Sequence, residues 1–133
     1  MKNFILIAIF FCTVLSVKGQ AKIMRGDSKY GSTIAVVHNG KLMSGNSKYG
    51  TVVATINSDG KIMKGNSKYG DVIATLDGDK VIGGSSKYGK VIAMINGNKI
   101  IEGSSKYGKV IGTVVDGGRL SAFAGAVYLY YFD

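Results

Sequence analysis

The hexapeptide Gly-x-Ser-Lys-Tyr-Gly occurs five times in this chain and constrains its fold more than any other feature. The starts of successive copies lie 19, 20, 19 and 19 residues apart, and Ser-Lys-Tyr-Gly is identical in all five. A fixed period this short predicts one supersecondary unit repeated in tandem, with each copy packed on its neighbours. The copies span Gly26–Gly31, Gly45–Gly50, Gly65–Gly70, Gly84–Gly89 and Gly103–Gly108.

Each repeat has the pattern of a β-hairpin, which the fourth copy shows most simply. Val91–Ile95 is short and rich in β-branched residues, as is typical of a strand. Asn96–Asn98 then favours a tight turn, because Asn and Gly adopt positive φ at low cost. Lys99–Glu102 predicts a second, shorter strand, after which the hexapeptide reverses the chain into the next repeat.

The longer strands carry a small residue at their centre in every copy, which suggests that they converge on a crowded axis. Residues on the opposite face are apolar too, so both faces of the sheet should be partly buried. Closing the sheet would remove its free edges, which otherwise invite aggregation. We therefore predict an all-β fold: a closed, shallow, pseudo-symmetric barrel of about twelve short antiparallel strands in six units, the sixth degenerate. The small central residues are Ala35, Ala54, Ala74, Ala93 and Gly112.

Residues 120–132 depart from the repeat and are apolar. The alternation of Tyr128, Tyr130 and Phe132 favours a terminal strand that closes the ring. The alanines between residues 122 and 126 instead favour a helix that plugs the centre. The sequence leaves both readings open, with the strand preferred; the segment is too short for a membrane-spanning helix.

Residues 1–19 have the pattern of a cleaved signal peptide. Lys2 is followed by an apolar run, Phe4–Val17, and Val17-Lys18-Gly19 has small residues at the positions that a signal peptidase reads, which predicts cleavage after Gly19. The remaining domain would be the single unit 20–133. The expected location is therefore outside the cytoplasm: periplasmic, associated with the outer envelope, or secreted.

Cleavage would also change the composition of the domain. Cys12, the only cysteine, would be lost, which leaves no thiol and no disulfide. The formal charge would fall from +9 to +7 with the loss of Lys2 and Lys18. This charge favours an acidic partner, and we expect an anionic membrane surface or an acidic glycan. Nucleic acid would fit the charge but is excluded by an exported location.

The candidate binding residues are the Lys and Tyr of the repeated turns. Symmetry should place these turns on one rim with a charge of +6, whereas the other rim, which includes the lysines that begin the short strands, sums to +2. Such a ring of lysines could concentrate anions. Alternatively, Lys recurs only because the turn was duplicated, and each lysine is simply solvated. The tyrosines could stack on sugars or lie at a membrane interface, or each could pack on the neighbouring hairpin. The candidates are Lys29, Lys48, Lys68, Lys87, Lys106, Tyr30, Tyr49, Tyr69, Tyr88 and Tyr107.

The sequence predicts neither an enzyme nor a cofactor or metal site. His38 is the only histidine, and no carboxylate pair recurs in the repeat. The repeated serines have no neighbouring base that could activate a nucleophile. The aspartates of the turns lack the spacing of a calcium-binding loop.

At the five Ser-Lys-Tyr-Gly hairpins and the Ala- and aromatic-rich tail, the chain resembles the bacterial β-flower proteins, which look like simplified relatives of the Tubby C-terminal barrel. The resemblance covers Lys22–Phe132. It implies a symmetric barrel of β-hairpins, usually exported in bacteria, with no established activity. Tubby-type barrels are associated with phosphoinositide head groups and contain a central hydrophobic helix, to which Ala122–Phe132 would correspond. No residue here matches a phosphoinositide site, so that activity is not carried over.

Two functions remain as expectations. The first is an exported, non-enzymatic binding or scaffold module that contacts anionic lipid head groups or acidic glycans through the Lys- and Tyr-bearing turns. The alternative is a purely structural or self-assembling envelope protein, in which the aromatic tail would be the assembly contact. The sequence does not decide between a monomer and a homo-oligomer.

Overall fold

A computed structural model describes residues 20–133, so the predicted signal peptide and its cleavage site lie outside the described residues. Ten strands are followed by one α-helix, α1 (Arg119–Val127), and a π-helical turn (Tyr128–Phe132). The strands are β1 (Gln20–Arg25), β2 (Thr33–His38), β3 (Lys41–Ser44), β4 (Val52–Asn57), β5 (Lys61–Lys64), β6 (Val72–Asp77), β7 (Lys80–Gly83), β8 (Val91–Asn96), β9 (Lys99–Glu102) and β10 (Val110–Val115).

The sheet is a closed antiparallel barrel. Each strand pairs with its neighbours in sequence, and β1 also pairs with β10, where Lys22 lies opposite Val115 and Arg25 opposite Gly112. The predicted barrel of tandem hairpins is thus confirmed. It has ten strands where about twelve were expected, and the tail that was counted as a terminal strand is helical.

The preferred prediction of a terminal strand in the tail was wrong, since the tail forms the helix that was the other reading. The β1–β10 pairing leaves no open edge for a further strand. All side chains from Ala122 to Val127 are buried, as expected for a helix that is apolar on every side. Helix α1 and the inward side chains of the wall form one apolar core. None of the described helices is long and apolar enough to cross a membrane.

The small central residues of the long strands make room for this helix. The four alanines of the set are at most 2% exposed and belong to the core around α1. Gly112 is the tightest position, because an added Cβ would lie 2.6 Å from Cδ1 of Leu129. On the helix itself, a Cβ at Gly125 would lie 2.8 Å from Cδ1 of both Ile23 and Ile100. The predicted crowding at the axis is therefore contact between wall and helix.

The outward face of the wall is also covered. Met43, Met63, Ile82 and Ile101 alternate with inward side chains of the short strands and therefore point outward, yet each is at most 2% exposed. The connecting loops cover them by folding back over the wall. A Cβ at the last glycine of the fourth loop would lie 3.2 Å from Cγ2 of Ile82, and the fifth loop approaches Ile101 equally closely.

Candidate functional site

Each Ser-Lys-Tyr-Gly segment is a β-turn that its serine stabilises twice; we call these five segments the Lys–Tyr turns. In the second copy the N–H of Gly50 donates to the carbonyl of Ser47 at 3.1 Å, and the N–H of Tyr49 donates to the Ser47 hydroxyl at 3.0 Å. Both bonds recur in the other four copies. Ser in the first position and Gly in the fourth are typical of such turns. Lys and Tyr consequently occupy the two central positions.

The two glycines that frame each loop have different roles. The first has a positive φ, which is +89° at Gly65 and is costly for other residues. The last allows a close approach: a Cβ at Gly70 would lie 2.5 Å from the carbonyl oxygen of Lys64, at the end of the preceding strand. Both glycines thus serve the backbone conformation of the loop. Together they bend the loop back onto the wall.

The five tyrosine rings project into solvent, with exposures of 85% to 98%. The alternative that each ring packs on the neighbouring hairpin was therefore wrong. In four turns the Nζ of the lysine lies 5.4 to 5.8 Å from the centroid of the adjacent ring. At an exposed site such a cation–π contact contributes only about 0.5–1 kcal/mol. Each of these turns thus presents an ammonium group beside an accessible aromatic ring.

The fifth turn departs from this arrangement. Nζ of Lys106 lies 3.3 Å from a carboxylate oxygen of Asp79, which also pairs with Arg119 at 3.2 Å. Asp79 belongs to the turn between β6 and β7, at the end of the barrel opposite to the one that the loops leave. The tip of this loop therefore reaches down the outer wall.

Three of the loops are attached to the wall by a Lys–Thr pair. Thr55 donates its hydroxyl hydrogen to the carbonyl of Gly65 at 2.8 Å, and Lys41 donates to the Thr55 hydroxyl at 3.3 Å and to the Asn66 carbonyl at 3.4 Å. These lysines were assigned to the opposite rim, but their ammonium groups extend along the wall to the loops. The equivalent sets are Lys61 and Thr75 with Gly84 and Ser85, and Lys99 and Thr113 with Gly26 and Asp27.

The other two units have no threonine at this position. Val36 stands opposite Lys22, and Met94 stands opposite Lys80. Neither side chain has a hydroxyl group to donate. The second and fifth loops are therefore attached by backbone hydrogen bonds and, for the fifth, by the Lys106–Asp79 ion pair.

The end of the helical segment closes the barrel on the side that the loops leave. Hydroxyls of Tyr128 and Ser44 hydrogen-bond at 2.8 Å, and Tyr131 donates to the carbonyl of Ile73 at 3.2 Å. The guanidinium of Arg25 donates to both carboxylate oxygens of Asp133, and this hydrogen-bonded ion pair raises the pKa of Arg25. Sequence reasoning missed the Arg25–Asp133 pair, because only ring closure and the helix bring these residues together.

Beside this ion pair lies a cleft of about 330 Å³, which breaks the symmetry of the ring. It carries Arg25 and Lys109 together with Glu102 and Asp133, and its apolar side includes Leu129. The charges of its lining are balanced, so the cleft has no preference for anions comparable to that of the turns.

Nothing in the site suggests metal chemistry or a catalytic group. Between residues 20 and 133, no three His, Cys, Asp or Glu side chains are grouped so that they could hold a metal ion. The turn serines are engaged through their hydroxyls with the turn backbone. What the arrangement offers chemically is repeated, exposed pairs of a cation and an aromatic ring.

The chain was compared with known protein families, curated proteins and solved structures. A family model described as "6-fold beta flower protein" matches residues 23–127, a range that runs from β1 through α1. No curated protein and no solved structure matches the chain.

Proposed function

This chain belongs to the 6-fold β-flower family of small structural β-barrels, and from that premise we propose that it is an exported, non-enzymatic binding module. The β-flower barrel is not a known enzyme fold. The Lys–Tyr turns are the contact surface in this proposal. The ligand is anionic, as a lipid head group or an acidic glycan would be, and it binds without a cofactor.

The observation that carries the proposal is the identity of Lys and Tyr at all five tips, although both are exposed. Other exposed positions of the same loops have diverged. The second position of the hexapeptide is Asp, Asn or Ser, and the position after it is Ser, Thr, Asp or Lys. A turn that only reverses the chain needs its Ser and Gly, whereas its central positions accept most residues. Retention of both central residues in five copies supports a role in contact.

The chemistry of the pair fits an anionic ligand. The ammonium group attracts a carboxylate, phosphate or sulfate, and the tyrosine adds a flat apolar face with a polar edge. One exposed pair would bind weakly. Five pairs on one rigid barrel can bind a multivalent ligand far more tightly, because the second and later contacts are intramolecular.

The test is binding by protein purified after expression of the full chain, measured at low salt against anionic vesicles and against acidic polysaccharide. Glu substitution at Lys48, Lys68 and Lys87 should abolish binding. A matched control places the same three charge reversals at Lys22, Lys80 and Lys90, which are exposed and lie outside the turns. The control should bind almost as well as the wild type.

Two results would contradict the proposal. Screening of charges is weakest at low salt, so electrostatic binding should be strongest under that condition. If the wild type binds no anionic surface or polymer at low salt, the protein is not an anion-binding module. If the two triple variants lose binding equally, net charge and not the turns carries the interaction.

The second candidate function is self-assembly through the aromatic end of the barrel. Tyr130 and Tyr131 are 51% and 43% exposed, and their ring centroids lie 4.9 Å apart in an edge-to-face arrangement. Exposed aromatic pairs are common at protein interfaces. Light scattering of the wild type and of a double variant with serine at both positions tests this. A wild type that is monomeric at every concentration argues against assembly.

A further inference from the structure

The Lys–Tyr turns surround the barrel wall and do not crown one end of it. All five loops leave the barrel from the same end, yet they fold back over its outer face. The fourth loop packs on Ile82, and the fifth reaches Asp79 at the opposite end. Lys–Thr pairs hold the first, third and fourth loops against the wall. The exposed tips therefore form a girdle around the circumference.

This placement bears on the shape of the ligand. A flat bilayer pressed against a cylinder touches one side of a girdle and leaves the turns on the far side in solvent. A flexible linear polymer can follow the circumference and meet several turns in succession. Successive turns are separated by two strands, which at about 4.8 Å per strand puts neighbouring tips at least about 10 Å apart.

We propose, as a refinement that rests on the proposed anionic binding, that the ligand is a linear acidic polysaccharide passing from turn to turn around the barrel. A uronic acid or sulfated sugar carries its charge on a ring. It can place that charge on the lysine ammonium while its ring face meets the adjacent tyrosine. In four turns the cation and the aromatic ring centroid are already 5.4 to 5.8 Å apart, a spacing that suits one such sugar.

The five turns of the girdle are not equivalent, and this difference predicts unequal contributions to binding. In the first four turns the lysine lies over its own tyrosine, whereas Lys106 pairs with Asp79. To bind a sugar, Lys106 must exchange that carboxylate for the ligand's. The first four turns should therefore contribute most of the affinity.

The experiment is titration calorimetry of the full-chain protein with oligogalacturonides of increasing length, the galacturonate monomer, and vesicles containing phosphatidylglycerol. Affinity should rise steeply with oligomer length, by about 10²-fold or more in total once several turns are bridged. Lys68→Ala should weaken binding of the longest oligomer at least about tenfold and should weaken monomer binding much less. Lys106→Ala, the matched change in the fifth turn, should have a smaller effect.

Tyrosine fluorescence gives an independent readout, because the chain has no Trp and five of its eight Tyr lie in the turns. Long oligomers should change the emission, whereas in a variant with Leu at Tyr49, Tyr69 and Tyr88 the change should be strongly reduced.

The outcomes separate the two proposals. Affinity for galacturonides that does not depend on length would overturn the polysaccharide inference, as would tight binding of vesicles that depends on the turns while no galacturonide binds. In both cases the proposed anionic binding would stand. If neither vesicles nor oligomers bind at low salt, both proposals fall.

Discussion

The barrel wall is covered on its two faces by structures of opposite kinds. Inside lies one helix that occurs once in the sequence and has no symmetry. Outside lie five loops that are copies of one another. The inner contact is apolar side-chain packing around Phe123, whereas the outer one combines glycine-mediated backbone contact with hydrogen bonds from Lys–Thr pairs.

This difference shows how a symmetric wall can hold an asymmetric plug. Small residues at the centre of every long strand give a nearly smooth inner surface, and at Gly112 the wall is fitted closely to one side chain of the tail, Leu129. On the outer face the loops meet similar local surfaces, so one turn could be copied, although the second and fifth loops lack the Lys–Thr pair. Substitutions should therefore cost most on the inner face, where α1 packs against strands from both ends of the described chain.

The largest effect should come from the helix. Phe123 is fully buried, and Phe123→Ala should lower the free energy of unfolding by about 3–5 kcal/mol, because it leaves a cavity between α1 and the barrel wall. Urea denaturation followed by circular dichroism measures the change. Leu120→Ala, on the same helix but 36% exposed, should cost much less. Equal losses would mean that the helix is not the centre of the fold.

The next effect tests the outer covering. Gly70→Ala should destabilise the protein by about 1–3 kcal/mol, because the added Cβ would lie 2.5 Å from a backbone oxygen that cannot move freely. The same substitution at Gly31, where that distance is 3.3 Å, should cost clearly less. Thermal unfolding of both variants makes the comparison. A Gly31 variant that is as unstable as the Gly70 variant would show that close approach is not the reason for this glycine.

A smaller effect should follow from removing one Lys–Thr attachment. Thr75→Val keeps the shape of the side chain but removes the hydroxyl that donates to the Gly84 carbonyl at 2.9 Å, and should cost about 0.5–1.5 kcal/mol. Thr51→Val, at an exposed position, should cost almost nothing. Hydrogen exchange should also speed up in the Gly84–Gly89 loop. Exchange that is unchanged there would contradict an attachment role.

The closed barrel, its antiparallel hairpins and its repeat boundaries could be predicted from the sequence because each depends on local pattern. Strand residues, turn glycines and the period all lie within about one repeat. The state of residues 120–132 could not be predicted, since it depends on whether β1 and β10 meet, and these strands lie at the two ends of the described chain. The alternation of Tyr128 and Tyr130 is typical of a strand, but packing inside the barrel makes this segment helical.

The candidate site, too, was predictable only where it depends on local sequence. The sequence identified Lys68 and Tyr69 and their equivalents, because repetition made them visible. It did not show that the rings stay in solvent or that the loops fold over the wall. Both depend on contacts between different repeats, such as Lys41 with Asn66. Whether the turns bind a ligand remains a prediction.

The smallest predicted effect is a pH dependence at the closed end of the barrel. Partial burial, and to a lesser extent the neighbouring Tyr130, raises the pKa of Tyr131, whose hydroxyl donates to the Ile73 carbonyl. Because the pKa is higher in the folded protein, the stability that this hydroxyl contributes is fully present below about pH 10 and is lost as pH rises through the folded-state pKa. Tyr131→Phe should therefore be less stable than the wild type at pH 8, by about 0.5–1.5 kcal/mol. The gap should narrow as pH rises above 10, when the phenolate can no longer donate. Urea denaturation measures the stability of both proteins across this pH range. Because both proteins contain the same lysines, the effect of lysine titration cancels in the difference between the two stabilities. A gap that stays constant to the highest pH would show that the proton of the hydroxyl is not its cause. No gap at any pH would show that Tyr131 is held by packing alone, and that this end of the barrel resembles the apolar interior more than the hydrogen-bonded exterior.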